Sequence, residues 1–298
     1  MNILLTGSTG LIGRALCDHL RTQGHNIFPL YRNPDTEKQH YWFPDEGRIH
    51  LDEHIKLDAV IHLAGENIAD SRWNQKKKER ILDSRINGTR LLTEALARLK
   101  HKPGLLISAS AIGFYGDTCD NIVDENSQRG TGFLGDIAAQ WEASAQPAKD
   151  ADIRTIHIRT GIVLSADGGA LKKMLPPFKM GLGGIVGNGR QYMSWISIRD
   201  VVQIISTMLS DEDMSGPYNL VAPKPVTNAE FTKSLGHALH RPTIFPMPAP
   251  VARTLFGEMA DHLLLSSSRV VPARLNDIGY KFIDGDLDLA LSRLLENR

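Results

Sequence analysis

Two cysteines, Cys17 and Cys119, are all that this 298-residue chain contains, and no Cys-x-x-Cys pair exists. So small a number excludes a disulfide framework. Cys17 falls in an expected helix and reads as a small core side chain. Charge of one sign is not in excess either: 34 Lys and Arg balance 34 Asp and Glu. No global basic field exists to draw nucleic acid or an anionic membrane. Long apolar runs are missing, and no window approaches the length of a membrane span. Glycines interrupt the only early apolar run, so no secretory leader is expected and a reducing cytoplasmic setting is the expectation. There is no internal repeat and no low-complexity tract. What is present, 42% hydrophobic and 23% charged residues, matches a soluble globular enzyme. The length suits a large core, or a main domain with an appendage.

The most informative stretch is Leu4-Leu5-Thr6-Gly7-Ser8-Thr9-Gly10-Leu11-Ile12-Gly13. Met1 to Thr6 is apolar enough for a buried strand. From Leu11 onward, Leu11, Ile12, Ala15, Leu16 and Leu20 fall on one helical face. Strand, glycine turn and helix follow in order. In that frame one glycine permits the tight turn, one lets backbone approach a pyrophosphate, and one lets helix and strand pack closely. The phosphate charge then meets the free N–H groups at the helix start. The expected cofactor-binding residues here are Gly7, Thr9, Gly10, Leu11, Ile12 and Gly13.

Further along, Gly24 should end the first helix and Ile27 to Tyr31 reads as a second strand. Arg32 follows it. An acidic residue at this place selects NAD through the ribose 2′-OH, whereas an Arg accommodates the 2′-phosphate of NADP. Arg32 therefore predicts NADP. Residues 33 to 56 read as polar and irregular, with Trp42 and Phe43 as a packing point. Leu57 to Gly65 is a buried strand ending in small residues, and Leu63, Ala64, Gly65 and Glu66 are expected near the cofactor. His62 reads as a hydrogen-bonded core histidine. Asn74 to Leu99 reads as one long helix, with Lys76 to Arg80 on a solvated face. Leu105 to Ser110 is the next strand, placing Ser108 and Ala109 at its cofactor end. Strands and helices alternate at intervals suited to right-handed crossovers. The predicted fold class is α/β, a doubly wound parallel sheet of Rossmann type with a smaller C-terminal substrate region. The ligand belongs at the carboxyl ends of the strands.

At this point the chain resembles the extended short-chain dehydrogenase/reductase family, the NAD(P)-dependent epimerases and dehydratases. The matching pieces are Thr6 to Gly13, Asp58 to Gly65, Asn87-Gly88-Thr89, Ser108 to Gly116 and Trp195 to Val202. More narrowly it resembles an atypical, largely uncharacterised branch, through Leu63 to Ile68, Arg159 to Leu164 and Met174 to Phe178. That resemblance implies a short extra C-terminal module at about residues 249–298, and places Gly161 and Ile162 beside the nicotinamide half. The domain expectation is 1–165 for nucleotide binding and 166–298 for the substrate side.

The departure from the family matters as much. Its enzymes use a Tyr-x-x-x-Lys pair on the helix after the Ser strand, and the Lys lowers the Tyr pKa for proton exchange during hydride transfer. No Tyr-x-x-x-Lys occurs in this sequence. Taking Glu142 as the trailing Glu of the pattern, Leu134 stands in the Tyr place and Ala138 in the Lys place. The upstream Ser is Ser110 by strand position, while counting back from Tyr115 and Gly116 gives Ala111. Ser110 and Tyr115 are the catalytic candidates; Glu66, Arg85 and Asp136 are weaker ones. Three readings follow: an oxidoreductase or epimerase with other acids and bases, an NADP-binding sensor or regulatory protein, or non-redox chemistry with the nucleotide held structurally.

Beyond Leu164 the composition shifts. A helix is expected over Ala170 to Leu175, closed by Pro176-Pro177. The glycine-rich run Gly181 to Gly189 lacks a strand–turn–helix frame and reads as a loop over the cleft. Arg190, Tyr192 and Trp195 are the expected substrate-binding residues, for a polar and small metabolite, with a nucleotide sugar implied by the family alone. Ser197 and Thr227 each begin a Ser/Thr-x-x-acid box and are assigned to helix caps. Expected partners are a small-molecule substrate and, as an option, a second copy in a homodimer; no nucleic acid, membrane or metal is expected.

Overall fold

The computed structural model describes residues 1–32, 40–52 and 54–296. The chain begins with β1 (Asn2–Thr6), α1 (Leu11–Thr22) and β2 (Asn26–Leu30), followed by a hairpin of β3 (Tyr41–Phe43) and β4 (Arg48–His50). Then come β5 (Ala59–His62), α2 (Gln75–Arg98), β6 (Leu105–Ala111), α3 (Phe133–Ala143), α4 (Gln146–Asp150), β7 (Arg154–Thr160) and β8 (Ile162–Leu164). The second half holds α5 (Gly169–Lys179), β9 (Tyr192–Met193), β10 (Trp195–Ser197), α6 (Ile198–Ser210), β11 (Gly216–Leu220), β12 (Val226–Thr227) and α7 (Asn228–Leu239). It closes with α8 (Ala249–Phe256), α9 (Glu258–Leu263), α10 (Ala273–Asp277) and α11 (Leu287–Leu295).

Six strands form one sheet in the order β11-β7-β6-β5-β1-β2, and every neighbouring pair is parallel. The reversal of winding between β1 and β5 is what a doubly wound fold requires. Both sheet faces are buried, which is why its strands read as near-continuous apolar runs. Ile3, Leu5, Ile61, Ile107 and Ile156 point to one face, under Leu16 and Leu20 of α1 and Ile204, Ile205 and Met208 of α6. Leu4, Val60 and Leu106 point to the other, under Leu92 and Leu96 of α2 and Ala148 of α4. A separate apolar cluster joins α5, α7 and α11, around Leu171, Phe178, Trp195, Phe231 and Leu291.

Caps set the helix starts. The Asn74 side chain accepts from the Lys77 N–H, Ser197 from Asp200 N–H, and Asp286 from Leu289 N–H. Thr227 and Glu230 form a reciprocal capping box. Three sequence expectations change. The stretch after residue 40 is no irregular loop: β3 and β4 pair antiparallel, and the buried Trp42 packs its indole against Gly88 of α2. Pro176 and Pro177 do not close α5, which runs to Lys179 because Leu171, Leu175 and Phe178 form one buried stripe across them. The chain also returns to the nucleotide half after residue 165. α6 packs on α1, and β11 supplies the sixth strand of the main sheet.

Candidate functional site

At the end of β1 the chain turns sharply through Gly7 (φ +70°), and Gly10 N–H donates to the Gly7 carbonyl at 2.9 Å. A Cβ on Gly7 would lie 2.9 Å from the Leu63 carbonyl carbon, and one on Gly13 would overlap the Gly7 carbonyl. These glycines let the turn, α1 and the end of β5 share one narrow space. Gly10 is the N-cap of α1, with no side-chain cap and no acidic residue in the first turn. The first N–H groups of a 12-residue helix are left facing the turn, which suits an anion. That cradle fits a dinucleotide pyrophosphate. Arg32 is exposed beyond β2, with its guanidinium 5.9 Å from the Trp42 ring centre. Leu63 and Ala64 N–H both donate to the Thr6 hydroxyl, tying the ends of β1 and β5 together.

Below this edge runs a row of polar side chains across the sheet. Thr6, His62, Ser108 and His157 are register neighbours on successive strands. With both lone pairs of Thr6 Oγ1 occupied by N–H groups, its hydrogen goes to His62 Nδ1 at 2.7 Å. His62 Nε2 then donates to Thr89 Oγ1 at 2.9 Å. Burial, aided by the Arg32 charge, lowers the His62 pKa to about 4, so the ring is neutral and structural.

One row closer to the strand ends, Ser110, Arg159 and Asn219 face each other across β6, β7 and β11. Ser110 Oγ donates to Glu142 Oε1 at 2.7 Å. Arg159 donates to both oxygens of Glu142 at 2.8 Å and to the Tyr115 hydroxyl at 2.9 Å. Tyr115 in turn donates to Asn219 Oδ1 at 2.8 Å. Burial alone would raise the Glu142 carboxyl, but the Arg159 contacts and the Ser110 bond hold it below the usual range. Burial pushes the Tyr115 phenol up despite Arg159. Ser110 and Tyr115 thus belong to one buried network, and neither hydroxyl is unpartnered. Sequence reasoning used Glu142 only as a landmark and Arg159 only as part of a family-like stretch. The available signal was the lone acid ending the largely apolar run Ile137 to Trp141, opposite an Arg in a buried strand.

The two relay positions of α3, Leu134 and Ala138, carry no titratable group. Ala138 is buried, and the Leu134 Cβ would lie 3.2 Å from a Cβ on Gly113, just past Ser110. Leu134 also joins an apolar group with Trp73, Ile81 and Ile137.

The loop after β5 is strongly charged. Lys77, whose side chain is 2% exposed, donates to Glu66 Oε1 at 2.7 Å and to Asp70 Oδ1 at 2.5 Å. This corrects the reading of Lys76 to Arg80 as a wholly solvated face: Lys77 turns inward because two carboxylates receive it. Arg80 also pairs with Glu66 at 2.9 Å. The same loop reaches the C-terminal helices. Arg72 donates to the Thr254 and Leu255 carbonyls, Trp73 stacks on His262, and Lys78 pairs with Glu258.

After the glycine-rich loop, Arg190 is exposed and Tyr192 half-buried beneath the Arg269 guanidinium, 4.4 Å from its ring centre. Trp195 is 1% exposed and lies in the apolar cluster of α5 and α7, not in an open cleft. Its indole fills the space between β10 and those helices. Gly161, between β7 and β8, packs so tightly on the Ser194 carbonyl that a side chain would not fit, and Ile162 is half-buried beside it. Among the described residues, no group of three His, Cys, Asp or Glu could hold a metal ion, and no helix is long and apolar enough to cross a membrane.

Residues 3–221 match the model of the NAD dependent epimerase/dehydratase family. The chain belongs to that family. Residues 247–294 match a domain of unknown function, DUF1731, which corresponds to the C-terminal helices. The Bacillus subtilis epimerase family protein YfhF is 37% identical, with 100% of this chain and 99% of that protein covered. The crystal structure of human epimerase family protein SDR39U1 with NADPH superposes with a TM-score of 0.90 at 34% identity, each chain covered completely. A nucleoside-diphosphate sugar epimerase from Corynebacterium glutamicum gives 0.81 at 36% identity, covering 99% of this chain and 58% of that one.

Proposed function

We propose that the chain binds NADP(H) in the glycine-turn cradle and acts as an oxidoreductase or epimerase on a small polar metabolite, without the tyrosine–lysine relay of its family. One observation carries this reading: a fully formed nucleotide cradle at Gly7, Gly10 and Gly13 stands beside a relay face occupied by Leu134 and Ala138. The N–H groups at the start of α1 hold the pyrophosphate, and Arg32 meets the 2′-phosphate. Leu63 to Glu66, Ser108, Ala109, Gly161 and Ile162 line the remainder. The similar human protein crystallised with NADPH supports the choice of nucleotide. Bound nicotinamide supplies or accepts hydride.

The proton work falls to Ser110. Its hydroxyl already points at an ionised carboxylate, Glu142, which can take the proton and is held by Arg159. Tyr115 acts through Arg159, as a positioning residue. Arg190 and Tyr192 face the metabolite. A nucleotide sugar is one form of that metabolite, supported by the similar sugar epimerase. A regulatory reading, NADPH binding with little or no turnover, is favoured by the same inert relay face.

Affinity and turnover separate these readings. NADPH should bind more tightly than NADH, and Arg32→Ala should erase the difference; equal affinities in the unmodified protein would sink the Arg32 assignment. In a nicotinamide redox assay with a broad metabolite panel, turnover abolished by Ser110→Ala supports the enzyme. Tight NADPH binding with no turnover on any compound supports the regulator.

A further inference from the structure

Arg85 sits one helical turn before Thr89 on α2, and its guanidinium reaches the end of β5. Its central carbon would lie 3.7 Å from a Cβ on Gly65. Gly65 directly follows Leu63 and Ala64, the residues against which the Gly7 turn packs. Arg85 therefore stands beside the nucleotide cradle.

The group is held with care but not neutralised. Its plane packs 4.8 Å from the Trp141 ring centre, and Nη1 donates to the Ile81 and Glu66 carbonyls, each at 3.1 Å. Nε and Nη2 make no hydrogen bond to any described residue. Among the described residues, no carboxylate lies within ion-pair distance. The acid of the adjoining loop, Glu66, is taken by Lys77 and Arg80. In this cluster Lys77, Arg80 and Arg85 outnumber Glu66 and Asp70, leaving one positive charge over. Burial lowers the Arg85 pKa to about 10, with the Glu66 charge opposing, so it stays a cation at neutral pH. A fixed guanidinium with one edge free is a fork for an oxyanion.

We propose that Arg85 is an oxyanion-binding residue of the cleft, receiving a phosphate or carboxylate of a molecule bound against the end of β5. The proposal rests on the nucleotide reading above. The oxyanion has two sources, the diphosphate of the dinucleotide or an anionic group of the metabolite.

The test uses full-length protein with Arg85→Met, which keeps the packing length without charge, and Arg85→Lys, which keeps the charge without the fork. NADPH affinity is read by fluorescence titration. Oxalate and inorganic phosphate binding is read by calorimetry, with and without saturating NADPH. A tenfold or greater loss of NADPH affinity in Arg85→Met assigns the dinucleotide phosphate. A similar loss of oxalate or phosphate binding at unchanged NADPH affinity assigns the metabolite. Arg85→Lys should fall between, and it carries the test if Arg85→Met does not fold. Unchanged affinities for all three probes in a folded variant would overturn the proposal. If the unmodified protein fails to bind NADPH, the nucleotide reading falls, yet oxalate binding lost in Arg85→Met would still support Arg85.

Discussion

Glu142 receives one edge of the Arg159 guanidinium as a fork, Nε on Oε1 and Nη2 on Oε2, each at 2.8 Å. The side chains are 13% and 5% exposed, so the pair is nearly dry. It ties α3 to β7 at the level of Ser110 and Tyr115, and so fixes the geometry of the whole polar row.

Breaking it from one side leaves a buried guanidinium uncompensated, which costs about 3–5 kcal/mol. Glu142→Gln should lower stability by that order in urea unfolding. Glu142→Gln combined with Arg159→Met should cost less than Glu142→Gln alone, because no charge is stranded. Ser110→Ala removes one hydrogen bond and should cost about 1 kcal/mol. A loss below about 1 kcal/mol for Glu142→Gln would mean that water reaches the pair.

The two outer glycines of the turn should behave differently from Gly10. Gly10 is exposed at ordinary φ, and its Cβ would lie 3.2 Å from the Gly7 carbonyl. Gly10→Val therefore places a side chain at the exposed mouth of the turn, and should abolish NADPH binding at a much smaller cost in melting temperature than a substitution at Gly13. Gly13→Ala places a Cβ on the Gly7 carbonyl, and should destabilise the fold itself. Unchanged NADPH affinity in Gly10→Val would rule out the cradle as the site.

Local chemistry explains what could be read from sequence. Ser197 and Thr227 cap helices because the side-chain oxygen and the N–H it accepts from lie within three residues of each other. The glycine turn is equally local. The exceptions are all long-range. The inward turn of Lys77 depends on two carboxylates brought to it by the loop after β5. The burial of Trp195 depends on α5 and α7 folding over β10. The continuation of α5 through Pro176 and Pro177 depends on a stripe that only tertiary packing rewards. The Ser110–Glu142–Arg159–Tyr115 network spans three elements and one turn, so the sequence carries no more of it than a lone acid at the end of an apolar run.

Trp73 links the loop after β5 to the C-terminal helices. Its indole N–H donates to the Ile68 carbonyl at 2.8 Å, and its ring lies 5.4 Å from His262 and 5.3 Å from Phe133, centre to centre. Trp73→Ala opens a cavity there, worth about 3–5 kcal/mol for a large aromatic. The loss should fall on this contact more than on the sheet. Amide exchange should quicken in residues 249–263 and in the loop after β5, while β1, β5 and β6 keep their protection. Uniform quickening across the chain would show that the module and the sheet unfold as one unit.

His62 and His157 give the fold a pH dependence of defined sign. Burial lowers both pKa values to about 4, against about 6.5 in the unfolded chain. Below about pH 6.5 the unfolded chain takes up protons that the folded chain refuses until about pH 4. Stability is therefore full above that window and falls as pH drops through it, by about 1.4 kcal/mol per pH unit for each histidine. The Glu142 contribution is lost only lower, as pH falls below the ordinary carboxylate range. The two rings differ in one respect. His62 is hydrogen-bonded at both nitrogens, whereas neither nitrogen of His157 has a partner among the described residues. An unpartnered buried polar group costs about 1–3 kcal/mol. His157→Leu should therefore be no less stable than the unmodified protein at pH 7.5, and clearly more stable at pH 5.0, with a weaker dependence on pH. Urea unfolding at the two pH values measures both effects. Equal stability of the unmodified protein at pH 7.5 and 5.0 would show that these rings are already charged inside the fold, against the burial argument.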